Sequence, residues 1–161
     1  MVRMEIKRID HYSIRTLDVE KTRRFYTEVV GFSVGPRPPF NFPGLWLFNG
    51  PPPKELKNDG NYGILHVIGV DPNDMQGLID YLGEVDLEQL KGGSGSLDHI
   101  AFSATGRDAM AARCQKCNVD FFERTVPALG LHQFFIKDPN GVTLEFNYPA
   151  AEAPSRAAAQ P

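Results

Sequence analysis

Cysteine is nearly absent: the 161 residues hold only Cys114 and Cys117. A zinc or redox C-x-x-C wants a second pair, or a helix start that exposes its first thiol. Met110, Cys114 and Cys117 instead recur at i, i+4 and i+7, the face of a helix on which cysteine packs as a small hydrophobe. Positive charge is also scarce. The formal net charge is −3, and no basic stretch exceeds Lys21-Thr22-Arg23-Arg24, so a nucleic-acid partner is not expected. No apolar run has the length of a bilayer span, and the opening Met-Val-Arg-Met-Glu-Ile-Lys-Arg lacks the apolar core of a signal peptide. No membrane partner and a cytoplasmic location are therefore expected. A Gly-rich phosphate loop is missing too, as are clear signatures for glutathione or coenzyme A.

What is present is the composition of one ordinary globular domain, 42% hydrophobic and 23% charged. Residues 5–15 alternate as a strand, and Thr16 or Asp18 can cap a helix from about Val19 to Val30 that ends at Gly31. Strands follow at 32–34, 45–48 and 63–70. Between them lie a proline-rich loop at 35–44 and a polar excursion at 51–62. A short helix over 74–82 and a flexible linker, Lys-Gly-Gly-Ser-Gly-Ser at 91–96, come next. The pattern then restarts: a strand at 97–104, a helix at 108–117, and strands at 121–126, 132–137 and 142–148. Asp138-Pro-Asn-Gly141 is the turn before the last strand. The Ala- and Pro-rich segment 149–161 reads as a disordered tail.

The order is an internal repeat. Ile9-Asp10-His11-Tyr12-Ser13-Ile14 parallels Leu97-Asp98-His99-Ile100-Ala101-Phe102, and Leu65-His66-Val67 sits where Leu144-Glu145-Phe146 sits in the second half. The expectation is an α+β fold of two βαβββ modules, 5–70 and 97–148 with a linker at 71–96, whose curved mixed sheets surround a metal-binding cleft. Strand alternation turns His11, His99 and Glu145 away from the faces carrying Tyr12, Ile14, Ile100, Phe102, Leu144 and Phe146. Two imidazoles and a carboxylate with open positions suit one divalent ion: Fe, Mn, Ni, Co or Zn. The bland alternatives are a hydrogen-bonded histidine in a strand and a Glu145 paired with Lys137 or Arg124.

The pieces Ile9-Asp10-His11, Phe25-Tyr26-Thr-Glu-Val-Val-Gly31-Phe32, Leu97-Asp98-His99-Ile-Ala-Phe and Phe134-Phe-Ile-Lys-Asp138-Pro-Asn-Gly141-Val-Thr-Leu-Glu145 occur in an order that resembles the vicinal oxygen chelate superfamily. That superfamily contains glyoxalase I, methylmalonyl-CoA epimerase, fosfomycin-resistance proteins, bleomycin-resistance proteins and extradiol dioxygenases. The resemblance places His11, His99 and Glu145 on metal-ligand positions. It puts His66 where glyoxalase I and the epimerase carry a fourth ligand, Glu or Gln. His66 is then a ligand, a hydrogen-bonding group beside the metal, or a packed histidine.

The function implied is a glyoxalase-like isomerase or lyase that chelates a small oxygenated substrate and stabilises an enediolate-type intermediate, with Glu145 as first choice of base and His66 as second. An Fe(II)-dependent extradiol-type dioxygenase and a metal-free drug- or toxin-binding resistance protein are the alternatives. By the same resemblance Gln133, Phe135 and Lys137 face the substrate with Ser13, and His132 lies at most on the rim. The loop carrying Arg37, Phe40 and Phe42, followed by Trp46, can form an aromatic wall over a ligand. A homodimer is the expected assembly. Pairing of modules within or between chains is left open.

Overall fold

The computed structural model describes residues 9–56, 61, 63–84, 86–90 and 93–154. The expected strand start at 5–8, part of the polar excursion (57–60 and 62), the linker residues 91–92 and the tail residues 155–161 lie outside them. By contacts the chain divides into two compact units, 1–23 with 31–85, and 24–30 with 86–161.

The first unit holds a four-stranded mixed sheet of β1 (Tyr12–Thr16), β2 (Ser33–Gly35), β3 (Gly44–Phe48) and β4 (Leu65–Gly69), in the order β1-β4-β3-β2. The second holds β5 (Ile100–Ser103), β6 (Phe121–Val126), β7 (Leu131–Lys137) and β8 (Thr143–Pro149), in the order β5-β8-β7-β6. In each, the first and last strands pair in parallel and the other pairs are antiparallel. A parallel pair needs a crossover, and the helix between first and second strands supplies part of it. The chain is thus α+β with two βαβββ modules, as the repeat implies.

Helix α1 (Val19–Arg24) begins where the Asp18 carboxylate accepts the Lys21 N–H at 2.8 Å, so Asp18 rather than Thr16 provides the cap. It continues into a π-helical turn, Phe25–Val30, and ends at Gly31, whose φ of 91° suits glycine. Within the segment 71–96 the short helix expected over 74–82 is found as α2 (Gln76–Leu82), and a 3₁₀ turn at Leu87–Leu90 follows it. Helix α2 lies so close to the proline-rich loop that a Cβ on Gly77 would stand 1.8 Å from the Asn41 carbonyl oxygen. Within the linker composition, the Leu97 N–H donates to the Ser94 carbonyl at 3.2 Å and closes a turn.

The tail also begins later than its composition implies. Ala150–Glu152 form a 3₁₀ turn, and Glu152 accepts the Gly106 and Arg107 N–H groups, each at 2.8 Å, at the start of helix α3 (Arg107–Cys117). Those N–H groups have no partner within the helix, and a carboxylate there also meets the positive end of its dipole.

The second unit's core gathers Tyr26, Val29, Cys114, Phe134, Leu144 and Tyr148. Cys114 is fully buried, as its helix face requires, and burial pushes its thiol up to about 11. Asp138 is buried at the β7–β8 turn and accepts the Tyr26 hydroxyl at 3.0 Å and the Asn140 and Val142 N–H groups at 2.8 Å each. One carboxylate therefore fastens the π-helical turn to the hairpin.

A second, half-buried carboxylate ties α3 to the sheet. Arg107 donates Nε to Glu123 at 2.7 Å and pairs with it again through Nη2, while His132 Nε2 meets the same carboxylate at 2.6 Å. Burial alone would push the Glu123 carboxyl up; the hydrogen bonds from Arg107 and His132 outweigh it and hold the group below its ordinary 4.5. A depressed carboxyl contributes stability that is fully present above the ordinary value and disappears as pH falls through the folded value. Glu123→Gln should cost about 1–3 kcal/mol near neutral pH. In urea unfolding series the gap to the parent should narrow steadily below about pH 4.5. A gap that stays constant into acid would contradict this account.

Candidate functional site

In the second unit, His99 and Glu145 come together. β5 and β8 are parallel neighbours with Ala101 opposite Glu145, so His99, two residues before Ala101, shares the strand face that carries Glu145. His99 Nε2 lies 3.2 Å from Glu145 Oε2, with Glu145 only 4% exposed. The other imidazole nitrogen, Nδ1, is held by Asp98 at 2.7 Å. If Nδ1 carries the proton for Asp98, Nε2 presents its lone pair toward a carboxylate oxygen, and two electron-rich atoms so close require a cation between them. Either a second proton on the ring or a metal ion meets that need. Two donors each about 2.1 Å from an ion stand about 3.0 Å apart at a right angle and about 3.4 Å apart at the tetrahedral angle. The observed separation falls between the two, so this half of the expected ligand set fits a divalent ion.

The second carboxylate oxygen is differently employed. Glu145 Oε1 accepts Gln133 Nε2 and Asn147 Nδ2, each at 2.7 Å, and Gln133 Nε2 also reaches Asn147 Oδ1 at 3.1 Å. Arg124 Nε donates to Gln133 Oε1 at 2.6 Å. Because an Arg Nε–H can only donate, the Gln133 amide oxygen must face Arg124 and its NH₂ must face Glu145. A directed chain, Arg124 to Gln133 to Glu145, leaves Oε2 as the oxygen available for chemistry. Neither Arg124 nor Lys137 bonds to Glu145 directly, so the simple ion pair weighed from sequence is not what satisfies it.

The first unit places His11, His66 and Trp46 in one stack. His66 lies 3.9 Å from Trp46 at 5° between planes, and 3.9 Å from His11 at 24°. His11 Nδ1 is held by Asp10 at 2.8 Å, repeating the Asp98–His99 arrangement. Stacked imidazoles direct their in-plane lone pairs side by side rather than toward a common point, so joint coordination by His11 and His66 would require one ring to rotate. Ser13 stands beside His66 and Trp46 in register on the same strand faces and is exposed. Among the described residues, no group of three or more His, Cys, Asp or Glu side chains is gathered as a metal site. The expected four ligands are found as two pairs, one in each unit.

The aromatic loop is organised by Arg37, whose guanidinium lies 5.1 Å and 5.2 Å over Phe40 and Phe42 and donates to the Gly44 and Phe42 carbonyls. Burial lowers its pKa. Tyr81 of α2 joins Phe40 and Phe42 at 4.9 Å and 5.2 Å. That contribution went unnoticed in the sequence because Tyr81 lies outside the loop.

Of the other expected substrate contacts, Gln133 touches Glu145, whereas Phe135 and Lys137 line a cavity of about 590 Å³ with Phe121, Phe122 and Thr143. Neither His99 nor Glu145 lines that cavity. His132 is 3% exposed and bonds to Glu123 and Thr125, on the strand face opposite Gln133, so alternation holds and it is no part of a rim. The residues that sequence reasoning missed are Asn147 and the orienting Asp10 and Asp98. The repeated Asp-His doublet was the available signal. Gln133→Leu removes one of the two amide donors from a buried carboxylate and should lower unfolding free energy by about 1–3 kcal/mol in denaturant titrations, an effect absent if the contact is incidental.

Comparison with known proteins agrees with this architecture. The family profile described as Glyoxalase/Bleomycin resistance protein/Dioxygenase superfamily matches residues 8–146. No curated protein matches the chain significantly. Among solved structures, a Bacillus anthracis protein assigned to the glyoxalase family is 22% identical at a TM-score of 0.59, covering 92% of this chain and 99% of its own. TnmS3, an antibiotic-binding protein from Streptomyces sp. CB03234, is 24% identical at 0.56, covering 91% and 99%. The fosfomycin resistance protein FosX from Listeria monocytogenes is 13% identical at 0.58, covering 89% and 94%. At such identities these structures speak for the fold alone. With its two βαβββ modules and a profile match over nearly all of its folded length, the chain belongs to the Glyoxalase/Bleomycin resistance protein/Dioxygenase superfamily.

Proposed function

We propose that the protein is a metal-dependent enzyme of the glyoxalase type, an isomerase or lyase acting on a small oxygenated compound. The observation that carries this reading is the convergence of His99 Nε2 and Glu145 Oε2 at 3.2 Å, with every other polar atom of the pair already engaged by Asp98, Gln133 and Asn147. His11 is the corresponding donor of the first unit, oriented by Asp10 as His99 is by Asp98. Two donors do not hold a divalent ion firmly by themselves, so further donors, from protein, water or substrate, are required.

A divalent ion at such donors polarises substrate oxygens and stabilises negative charge that develops on them. The protein's own part is proton transfer and positioning. Glu145 Oε2 accepts a proton from carbon next to a carbonyl, while Gln133 and Asn147 hold Oε1 and keep the carboxylate from turning. His66, fixed between the Trp46 and His11 rings, fits the role of a hydrogen-bonding or proton-carrying neighbour better than that of a fourth ligand. Ser13 and the Phe40, Trp46 and Tyr81 rings offer contacts to the substrate body.

Metal analysis of the purified protein and its variants tests the reading. His11→Ala, His99→Ala and Glu145→Ala should lose the bound divalent ion, and Asp98→Ala should weaken it by about 10- to 100-fold. His66→Ala should retain it. Full retention in the first three variants would remove the metal from the account.

A second reading, a metal-free binder of a planar drug or toxin, is favoured by the aromatic cluster of Phe40, Phe42 and the exposed Tyr81 and by the fold shared with TnmS3. Protein that holds no metal and takes none up, yet binds such a compound, would select it. Oxygen consumption with catechols in the presence of Fe(II) would instead select the dioxygenase chemistry in the superfamily's name.

A further inference from the structure

Arg124 is the one member of the Glu145 network whose hydrogen-bonding capacity is largely unused. Its Nε is committed to Gln133 Oε1 at 2.6 Å, and its guanidinium carbon lies 5.1 Å over the Phe135 ring. Among the described residues the Nη1 and Nη2 groups have no protein partner. The side chain is exposed, so nothing in its surroundings compels this fixed posture except the two contacts just named. An arginine held through Nε with its guanidinium over a ring presents its remaining N–H groups as a fork, the geometry that takes two oxygens of one anion. Beside it on the same face is Phe122, 60% exposed and 5.9 Å from Phe135.

We propose that Arg124 is the anion subsite of this protein's substrate, and that the substrate is a small carboxylate with an apolar or aromatic body. The carboxylate oxygens bind Nη1 and Nη2, and the body lies against Phe122 and Phe135. This rests on Glu145 facing the substrate, as proposed above. It also gives the hydrogen-bond chain a purpose: an acid on the fork immobilises Arg124, which fixes the Gln133 amide, which orients Glu145. A carboxylate is favoured over a bare phosphate because the exposed rings beside the fork stabilise an apolar body and contribute nothing to an inorganic ion.

The test uses benzoate, with inorganic phosphate and acetate in parallel, titrated into full-length protein whose arginine Nε–H resonances are followed by ¹⁵N NMR, once with metal and once after chelation. Benzoate should move the Arg124 Nε–H signal saturably in both samples and more tightly than acetate or phosphate does. Arg124→Gln should weaken benzoate binding at least about tenfold, and Arg124→Lys should weaken it as well because a point charge replaces the fork. A cooperative thermal unfolding transition retained in both variants removes misfolding as an explanation.

Absence of a saturable shift, binding that survives Arg124→Gln, or equal affinity for benzoate and acetate would each overturn the proposal. Failure of the metal reading is told apart by metal content: a protein without metal that still binds benzoate through Arg124 keeps the subsite and loses only the ion.

Discussion

A carboxylate buried on the last strand of a sheet must be surrounded by donors, and in the second unit much of one strand face is arranged to meet that need. Glu145 is flanked by Asn147 two residues along its own strand, by Gln133 on the antiparallel neighbour and by His99 just ahead of the parallel one. Each donor sits where strand pairing brings a side chain of the same face within reach. The burial would be costly if any of them were apolar. The same donors divide the labour between the two oxygens: Oε1 is saturated by amides, and Oε2 is left with an imidazole whose far nitrogen is already held. Selectivity between the oxygens is therefore a property of the sheet's register.

The opposite face of that sheet shows the same economy with another carboxylate. Glu123 joins Arg107 at the start of α3 to His132 on β7, and Glu152 receives the first N–H groups of the helix. Alternation along β7 thus sends His132 to a structural network and Gln133 to the candidate site. Two adjacent polar residues serve unrelated ends because consecutive side chains leave the strand on opposite sides.

Much of this was legible in the sequence. The repeat of Asp-His-x-x-x, the placement of strands around Asp138-Pro-Asn-Gly141 and the facing of His11, His99 and Glu145 follow from alternation and turn chemistry, and the sheets have the expected order. Three features were not. The stacking of His66 between Trp46 and His11 depends on strand register, which periodicity does not specify. The close approach of helix α2 to Asn41 at Gly77 was hidden, although the helix itself was expected, because Asn41 lies in a proline-rich loop without periodicity. The role of Glu152 was hidden in an Ala- and Pro-rich segment whose composition says nothing of a single carboxylate finding a helix end.

The π-helical turn Phe25–Val30 has a consequence for how the duplicated halves are to be regarded. It is encoded in the first repeat, yet by contacts it belongs to the second unit, where Tyr26 is fully buried and bonds to Asp138. A gene cut at the linker would leave the second repeat without the aromatic that satisfies its turn carboxylate, and would leave the first with an apolar helical end lacking its neighbours. The two copies of the motif are a repeat in sequence but a splice in space, so neither half is an autonomous folding module.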